Sequence, residues 1–363
     1  MTAAAESMKT PARRAPASLH AGWLALALLW APPAPAADHA VILQYHHVAD
    51  HTPASTTTSP ALFAEHLAYL ADHGFGVAPV GETVDALVSG RGLPDSTVCL
   101  TFDDAWDDVA DVAWPLVKAR GWTMTVFVAT GEVDAGGRGV MTWDRMRALA
   151  AEGVTFGPHS VHHDYQIRPV DGESAARRRD RLRDDVAASL RRLREELPAA
   201  AVVDIYVYPF GEFDRDLQDA VAAAGLAGLG QHSGAAWAGG DPTALPRYPM
   251  GGPYGGMDQF GVKVASLPLP VTAAEPAGMV LSGDNTRPTL DLVLQPGDYV
   301  AQRLAAFVGG APATVQWLDR DAGAVRIAAP EALPRGRSRT NLTAPASSGG
   351  RWYWYSHPWL RLP

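Results

Sequence analysis

The chain has 363 residues, of which 47% are hydrophobic and 19% are charged, and its formal net charge is −9. This composition indicates a globular protein with one large domain and room for a small one, and the negative charge argues against nucleic acid or an anionic membrane surface as a partner. The single cysteine, Cys99, excludes an internal disulfide and a cysteine-rich zinc module.

Residues 1–36 have the pattern of a secretory signal peptide. Basic residues precede the apolar run 21–30, and an A-x-A cleavage signal ends at Ala36. An apolar run of this length is too short to cross a hydrocarbon layer of roughly 30 Å. The sequence therefore predicts cleavage near Ala36, no stable membrane insertion afterwards, and a periplasmic or secreted protein.

Strands and helices then alternate along the chain up to about residue 261. Short apolar and β-branched runs predict strands at 41–45, 75–80, 97–102, 123–128, 154–157, 202–208 and 226–230. Helical periodicity and capping residues predict helices at 60–74, 83–88, 109–119, 143–151, 173–197 and 217–224. This alternation is typical of a parallel sheet wrapped by helices, which about seven such units would close into a barrel.

The pattern changes after residue 262. Residues 263–276 are rich in proline and alanine and predict a linker. Beyond it, alternating runs separated by turn residues predict strands at 279–281, 289–294, 315–318, 324–327 and 352–355. We therefore expect an α/β domain at 40–262 and a small all-β, sandwich-like domain at 277–363.

Chemically active side chains follow several of the predicted barrel strands. The groups are Tyr45-His46-His47, Thr101-Phe102-Asp103-Asp104, His159 to His163, and Tyr208-Pro209-Phe210-Gly211. Because functional groups of α/β sheets collect at the carboxyl ends of the strands, we expect these side chains to meet. Imidazole and carboxylate are the ligands of a catalytic zinc or similar divalent ion. Each group alone has a plainer explanation, since an Asp-Asp pair often caps a helix.

These short motifs resemble those of the polysaccharide deacetylases, carbohydrate esterase family 4. Thr101-Phe102-Asp103-Asp104 resembles the first family motif, His159-Ser160-x-x-His163 the second, and Tyr208-Pro209-Phe210-Gly211 the third. Leu43-Gln44-Tyr45-His46 resembles the motif that usually closes the family domain. Its early position is similar to the circularly permuted poly-β-1,6-N-acetylglucosamine deacetylases. The resemblance covers residues 40–262 and implies a deformed (β/α)7-type barrel.

The resemblance also implies a ligand set and two acid–base groups. Asp104, His159 and His163 match the residues that bind the family's divalent metal, with Zn²⁺ the first candidate and Ni²⁺, Co²⁺ or Fe²⁺ the others. Asp103 matches the general base that takes a proton from the attacking water. His46 matches the general acid that protonates the leaving amine.

The third motif adds an oxyanion donor, and aromatic residues in and beside the motifs predict a wall that contacts the sugar. The backbone N–H of Phe210 matches the donor, and Trp106, Tyr208 and Phe210 are predicted to contact the sugar through their aromatic faces. Two positions depart from the usual family pattern. Ala105 stands where the first motif usually has glycine, and Val207 stands where an arginine often orients the base. What orients Asp103 is therefore left open by the sequence.

The sequence predicts a metal-dependent hydrolase that removes N-acetyl groups from an extracytoplasmic polysaccharide containing N-acetylglucosamine. Two alternatives stay open: a non-catalytic glycan-binding protein on the same barrel, and an esterase of O-acetylated sugars. Poly-β-1,6-N-acetylglucosamine, peptidoglycan and chitin oligomers are the candidate substrates. Other exopolysaccharide or cell-wall machinery is the expected protein partner, and nucleic acid is not.

Overall fold

A computed structural model of the protein describes residues 1–2 and 36–362. The predicted signal peptide, apart from its two ends, lies outside the described residues. Within the described part of the chain, no helix combines the length and the apolar character needed to cross a membrane.

A curled, mostly parallel sheet forms the first part of the fold. Its strands are, in spatial order, Ala236–Trp237, His39–Tyr45, Thr97–Phe102, Thr125–Val128 and Thr155–Pro158, with Tyr248–Pro249 added beside His39–Tyr45 and Gly76–Val77 beside Thr97–Phe102. A parallel pair, Ile205–Val207 with Ala227–Leu229, continues the curl through isolated bridges to its neighbours. Tyr248 pairs with Leu43 and brings the pairing back to the first long strand. The deformed (β/α)7-type barrel predicted from the sequence is confirmed.

Helices cover the outside of this sheet. They are Pro60–Asp72, Val80–Ser89, Trp114–Lys118, Thr130–Asp134, Trp143–Ala151, Ala175–Glu196, Arg215–Ala223 and Met257–Val264. The long helix Ala175–Glu196 begins at Ser174, whose hydroxyl accepts the N–H of Arg177. Its leucine and valine stripe is buried in the core while its arginines face outward, as helical periodicity predicts.

Two mostly antiparallel sheets follow the barrel in the chain and pack face to face. The first contains Leu267–Pro268, Trp352–Arg361, Gly336–Pro345, Ala305–Val308 and Ala311–Ala313, and the second contains Val271–Glu275, Thr289–Leu294, Ala324–Ala328 and Val315–Asp319. Leu292, Val325 and Leu342 are among the apolar side chains buried between them. The predicted all-β C-terminal region is therefore present as a sandwich.

Residues 263–276, predicted to be a linker, contribute strands to this sandwich. Leu267–Pro268 pairs with the last strand of the chain, and Val271–Glu275 pairs with Thr289–Leu294. The partners of both strands come later in the chain, so long-range pairing overrides the local proline and alanine composition. The division into domains at 40–262 and 277–363 stays a prediction, with a strand-forming segment in place of the linker.

The last strand, Trp352–Arg361, joins the sandwich to the barrel. Trp354 packs edge to face on Tyr248 of the barrel, with ring centroids 5.6 Å apart. Leu360 is buried with barrel side chains, whereas its neighbour Trp359 is buried in the sandwich core. Since successive side chains of a strand point to opposite faces, one strand supplies both cores.

Candidate metal and acid–base site

The four motifs singled out in the sequence meet at the carboxyl ends of the barrel strands. His46 follows the strand His39–Tyr45, and Asp103 and Asp104 follow Thr97–Phe102. His159 follows Thr155–Pro158 directly. Of these residues, His46 and Asp104 line one cavity of about 720 Å³, together with Gln44, His163 and Phe210, whereas Asp103 and His159 are fully buried behind that lining.

Asp104, His159 and His163 bring three possible ligand atoms together, and we call these residues the metal cluster. Asp104 Oδ1 lies 3.4 Å from His159 Nε2 and 3.3 Å from His163 Nε2. Ligand atoms around a tetrahedral zinc ion, with bonds of about 2.0–2.1 Å, lie roughly 3.3–3.4 Å from one another. These two separations are compatible with a divalent ion, and all three ligand atoms lie within 4.8 Å of one another.

Unsatisfied polar atoms in the metal cluster support the same conclusion. Asp104 Oδ1 and His159 Nε2 are buried and have no hydrogen-bond partner among the described residues, an arrangement that is costly unless another group binds them. His159 Nδ1 lies 2.7 Å from the carbonyl oxygen of Val207. Because a carbonyl only accepts, Nδ1 carries a proton, and in the neutral ring the Nε2 lone pair would be the one that binds a metal. Burial would lower the pKa of His159, but contact with Asp104 and the charge of Asp103 raise it, so a metal would have to displace a proton from Nε2.

The surroundings favour the metal-binding protonation state of two cluster members. Burial alone would raise the pKa of Asp104, but contact with His159 and the nearby histidines holds this pKa well below its usual range. Burial and the proximity of His159 lower the pKa of His163 to about 4. At neutral pH, Asp104 is thus a carboxylate and His163 a neutral imidazole, which are the forms that bind metal.

Asp103 is fully buried and is fixed by two side chains. Arg247 Nη1 donates to Asp103 Oδ1 at 2.7 Å, and Arg247 Nη2 donates to Oδ2 at 2.9 Å. Gln44 Nε2 also donates to Oδ2, at 2.8 Å. Burial alone would raise the pKa of Asp103, but the Arg247 guanidinium reverses this effect and holds the pKa below its usual range. A carboxylate has about four acceptor sites, so these three N–H groups leave one for a proton.

Arg247 is the residue that orients Asp103, in place of the arginine that the related motif often has at the position of Val207. Its side chain is 0% exposed, and its Nε donates to the carbonyl oxygen of Gly230 at 2.9 Å. It is 144 positions away from Asp103 in the chain, so no local motif connects the two residues. The available signal was an arginine between Pro246 and Tyr248, within an otherwise mostly apolar run.

His46 lies at the cavity wall beside Asp103. Its Nε2 is 3.9 Å from Asp103 Oδ2, and its side chain is 17% exposed. Burial lowers the pKa of His46, although the carboxylates of Asp103 and Asp104 oppose this effect. The imidazole can therefore be reached from the cavity and lies next to the predicted base.

The three aromatic residues predicted to contact the sugar differ in how far their rings are exposed to the cavity. Phe210 lines the cavity, and its ring stacks on Tyr165 with centroids 3.9 Å apart. Trp106 is half-buried, and its Nε1 donates to Asp104 Oδ2 at 3.2 Å. Tyr208 is completely buried, and its hydroxyl donates to the carbonyl oxygen of Thr243 at 2.7 Å. The structure thus removes Tyr208 from the predicted sugar wall, because no face of its ring reaches the cavity.

Unusual backbone conformations are concentrated at this site. Asp104, Ala105, Ser160, His163 and Phe210 all have positive φ angles, between 54° and 72°. Each such residue costs on the order of 1 kcal/mol or more, and it persists where the surroundings fix it. Ala105, with φ +57°, occupies a conformation that glycine adopts freely, which explains why the related motif usually has glycine there.

Comparison with known proteins gives matches to one family. The family model described as polysaccharide deacetylase matches residues 90–229. Over 122 residues the chain is 25% identical to YxkH of Bacillus subtilis (strain 168), a protein that is named as a polysaccharide deacetylase. Over 208 residues it is 24% identical to the poly-beta-1,6-N-acetyl-D-glucosamine N-deacetylase of Escherichia coli (strain K12). These matches cover 34% and 47% of the chain, and 42% and 30% of the two relatives.

The fold is similar to that of a solved deacetylase. PplD of Streptococcus pyogenes, determined in complex with acetate, superposes with a TM-score of 0.53 and 23% sequence identity. The match covers 59% of this chain and 93% of PplD. At this level of identity the likeness shows the barrel fold, while the chain spans less than half the length of the curated relatives it matches.

Proposed function

We propose that the chain, whose residues 90–229 match the polysaccharide deacetylase family model, is a metal-dependent hydrolase that removes N-acetyl groups from a polysaccharide outside the cytoplasm. One observation carries the proposal. The metal cluster lies directly beside Asp103, a carboxylate that Arg247 holds ionised, at a cavity large enough for a sugar. This is the arrangement that hydrolysis of an amide requires, with a Lewis acid next to a base.

The chain's own residues divide the work of the reaction. A divalent ion, when bound, supplies Lewis acidity that makes water more acidic and stabilises negative charge on oxygen. Asp103 takes the proton of the attacking water at the acceptor site that Arg247 and Gln44 leave free. The N–H of Phe210 donates to the acetyl oxygen as that oxygen gains charge.

His46 completes the reaction by giving its proton to the departing nitrogen. The water oxygen forms a bond to the acetyl carbon, the bond between that carbon and nitrogen breaks, and acetate and a free amine are released. His46 Nε2 lies 3.9 Å from Asp103 Oδ2, which is longer than a hydrogen bond, so the return of the proton from Asp103 to His46 between turnovers would need one bridging water.

Two considerations support the substrate and the location. One relative is named a poly-beta-1,6-N-acetyl-D-glucosamine N-deacetylase, which favours a polysaccharide that contains N-acetylglucosamine. The N-terminal basic, apolar and A-x-A pattern favours export to the periplasm or beyond. Zinc is the metal we expect first, because imidazole and carboxylate are among its preferred ligands.

An esterase acting on O-acetyl sugars is the second candidate, because it would use the same metal cluster and base. A non-catalytic glycan-binding protein is less well supported, since binding alone needs neither the strained metal cluster nor a buried base. The test is release of acetate by the purified, metal-analysed protein from N-acetylglucosamine oligomers, chitin oligomers, peptidoglycan and an O-acetylated glycan. Release from an N-acetylated glycan supports the proposal, and release from the O-acetylated glycan alone supports the esterase.

A further inference from the structure

The catalytic cavity is built by the sandwich as well as by the barrel. Besides the motif residues, its lining includes Arg337, Ser338, Arg339 and Asn341 from the strand Gly336–Pro345. The match to the family model ends at residue 229. The cavity wall formed by the strand Gly336–Pro345 therefore lies outside the matched region.

Positive charge dominates the described lining of this cavity. Asp104 is the one carboxylate in the lining, and it belongs to the metal cluster, whereas Arg337 and Arg339 both contribute guanidinium groups. The nearby acids already have partners. Asp103 is neutralised by Arg247, and Glu212 accepts two hydrogen bonds from Arg168, at 2.7 and 3.1 Å.

Of the two arginines in the lining, Arg339 has the less compensation. The described residues offer its guanidinium no carboxylate within ion-pair distance, and its Cζ lies 5.8 Å from the ring centroid of Tyr254. The side chain is half-buried, and burial lowers its pKa. A guanidinium that has lost water without gaining an anion is unfavourable unless a ligand supplies the anion.

Arg337 lies next to Arg339 on the same strand face and links the wall to the predicted oxyanion donor. It donates to the carbonyl oxygen of Phe210 and lies 3.9 Å from Glu212 Oε1. Its side chain is 45% exposed, so part of the guanidinium remains available to the cavity. The two arginines thus place positive charge within the space that a sugar chain must enter to reach the metal cluster.

We propose that Arg337 and Arg339 bind a sugar carboxylate, so that the preferred substrate is an acidic glycan in which a carboxylate-bearing sugar lies near the N-acetylated one. This inference rests on the proposed function and adds a substrate class to it. Guanidinium groups bind carboxylates through paired, charge-assisted hydrogen bonds. A local positive field in a protein of net charge −9 also selects for anionic chains and repels the free amine of the product.

The test compares binding of matched oligosaccharides by titration calorimetry. The probes are a peptidoglycan glycan-strand tetrasaccharide and a hyaluronan tetrasaccharide, each with free carboxylates and as its methyl ester. We expect at least one free acid to bind about tenfold or more tightly than its ester, with a difference that shrinks as salt rises from 0.1 M towards 1 M because screening increases. Equal affinity of acid and ester for both probes would overturn the inference.

Arg339→Gln and Arg335→Gln form the matched pair of variants. Arg335 is exposed and absent from the described cavity lining, so its variant should keep the preference for the acid. Arg339→Gln should bring the ratio of acid to ester affinity close to one, with metal content and thermal unfolding showing that the fold is intact. A preference retained in Arg339→Gln contradicts the assignment.

The acetate released by the reaction also has a carboxylate, so the two arginines could bind this product instead of a sugar carboxylate. A separate inhibition experiment with sodium acetate distinguishes the two ligands. If Arg339→Gln weakens inhibition by sodium acetate but leaves the difference between acid and ester unchanged, the arginines bind the product and the inference is wrong. Acetate release from a neutral chitin tetrasaccharide tests the proposed function independently. Turnover of that neutral probe, without any preference for acids, would refute this inference alone.

Discussion

Asp103 and Asp104 are neighbours in the chain, but their surroundings give them different chemistry. Asp103 is enclosed by the N–H groups of Arg247 and Gln44, whereas Asp104 turns an unpaired oxygen towards two imidazoles. The positive φ of Asp104, +72°, lets adjacent side chains diverge in this way. One carboxylate is thus suited to take protons and the other to bind a metal.

Replacing Arg247 with lysine should move the pH dependence of activity. Arg247 holds the pKa of Asp103 low, and lysine gives a point charge without the two-pronged contact. The base should then titrate at higher pH, so the acidic limb of kcat/KM against pH should shift upward. We also expect kcat/KM at neutral pH to fall roughly ten- to a hundredfold, because the base is less well oriented.

Arg168→Lys is the control for that experiment. Arg168 forms a similar paired contact with a buried carboxylate, Glu212, but it does not contact Asp103. The Arg168→Lys variant should therefore leave the acidic limb of kcat/KM against pH in place. If Arg247→Lys also left this limb unchanged, a group other than Arg247 would control the pKa of the base.

His163→Ala should weaken metal binding by a hundredfold or more, because three protein ligands are the usual number at an open catalytic site. Its neighbour His162 is exposed and lies outside the metal cluster, so His162→Ala should bind metal like the unchanged protein. Competitive titration with a chelating dye measures both. Loss of metal in His162→Ala, with retention in His163→Ala, would make His162 the metal ligand in place of His163.

His46→Ala should retain the metal and lose activity selectively. An amine leaves poorly without a proton, whereas the leaving group of an activated ester needs none. We therefore expect a loss of a hundredfold or more on an N-acetylated sugar and a much smaller loss on p-nitrophenyl acetate. Equal losses on both substrates would remove the acid role from His46.

At the scale of elements, local patterns predicted most of the barrel and missed part of the sandwich. The strand at 97–102, the helix at 143–151 and the strand at 289–294 have the predicted bounds. The ten-residue strand Gly336–Pro345 was missed because arginine, serine and threonine dominate its first half. It pairs along its whole length with Trp352–Arg361, a partner that no local pattern identifies.

The candidate site shows the same division between local and distant information. The residues of the metal cluster and the two proposed acid–base groups, Asp103 and His46, lie in short motifs, so the sequence could indicate them as candidates. Arg247 and the arginines of Gly336–Pro345 reach the cavity only through folding. Tyr208 shows the reverse error, since its motif placed it near the site while packing turned its ring into the core.

The helix Pro60–Asp72 carries a histidine that should make stability depend on pH. Burial lowers the pKa of His66 to about 4, and its ring nitrogens lie 2.7 Å from the Gly255 carbonyl and 3.1 Å from the Tyr45 hydroxyl. Between about pH 6.5 and 4, His66 is protonated in the unfolded chain but stays neutral in the folded protein. The free energy of unfolding should therefore fall as pH drops through this window, by on the order of 3 kcal/mol from this residue.

Urea unfolding of His66→Gln at pH 7 and pH 5 measures this effect. The variant should lose less stability between the two pH values than the unchanged protein does. His73→Gln, at an exposed histidine just beyond the same helix, should show the unchanged pH dependence. The same pH dependence in all three proteins would contradict the account of His66.

At the scale of the whole molecule, the sandwich helps to form the candidate site. It provides one wall of the cavity and inserts Leu360 into a barrel core, while Trp354 covers Tyr248. Arg351 adds an ion pair to Asp95 of the barrel, 3.0 Å between Nη1 and Oδ2. Barrel and sandwich should therefore unfold together.

A chain ending near residue 270 should be clearly less stable than the full protein. Losing large buried side chains such as Leu360 costs roughly 2–5 kcal/mol each, and the exposed barrel surface should promote aggregation. Thermal unfolding should show a lower midpoint, or no cooperative transition, in the shortened chain. A midpoint equal to that of the full protein would mean that the shared core contributes little.

Zinc titration into metal-free protein, with acetate release from an N-acetylglucosamine oligomer as the readout, tests the central claim most directly. The account predicts no release without metal, and activity that rises in proportion to bound zinc until each chain holds one ion. It also predicts that Asp103→Asn binds the same amount of zinc and releases acetate at least about a hundredfold more slowly, the usual scale for losing a general base. Acetate release that is unaffected by chelation, or its absence with zinc and each other candidate metal bound, would contradict the account.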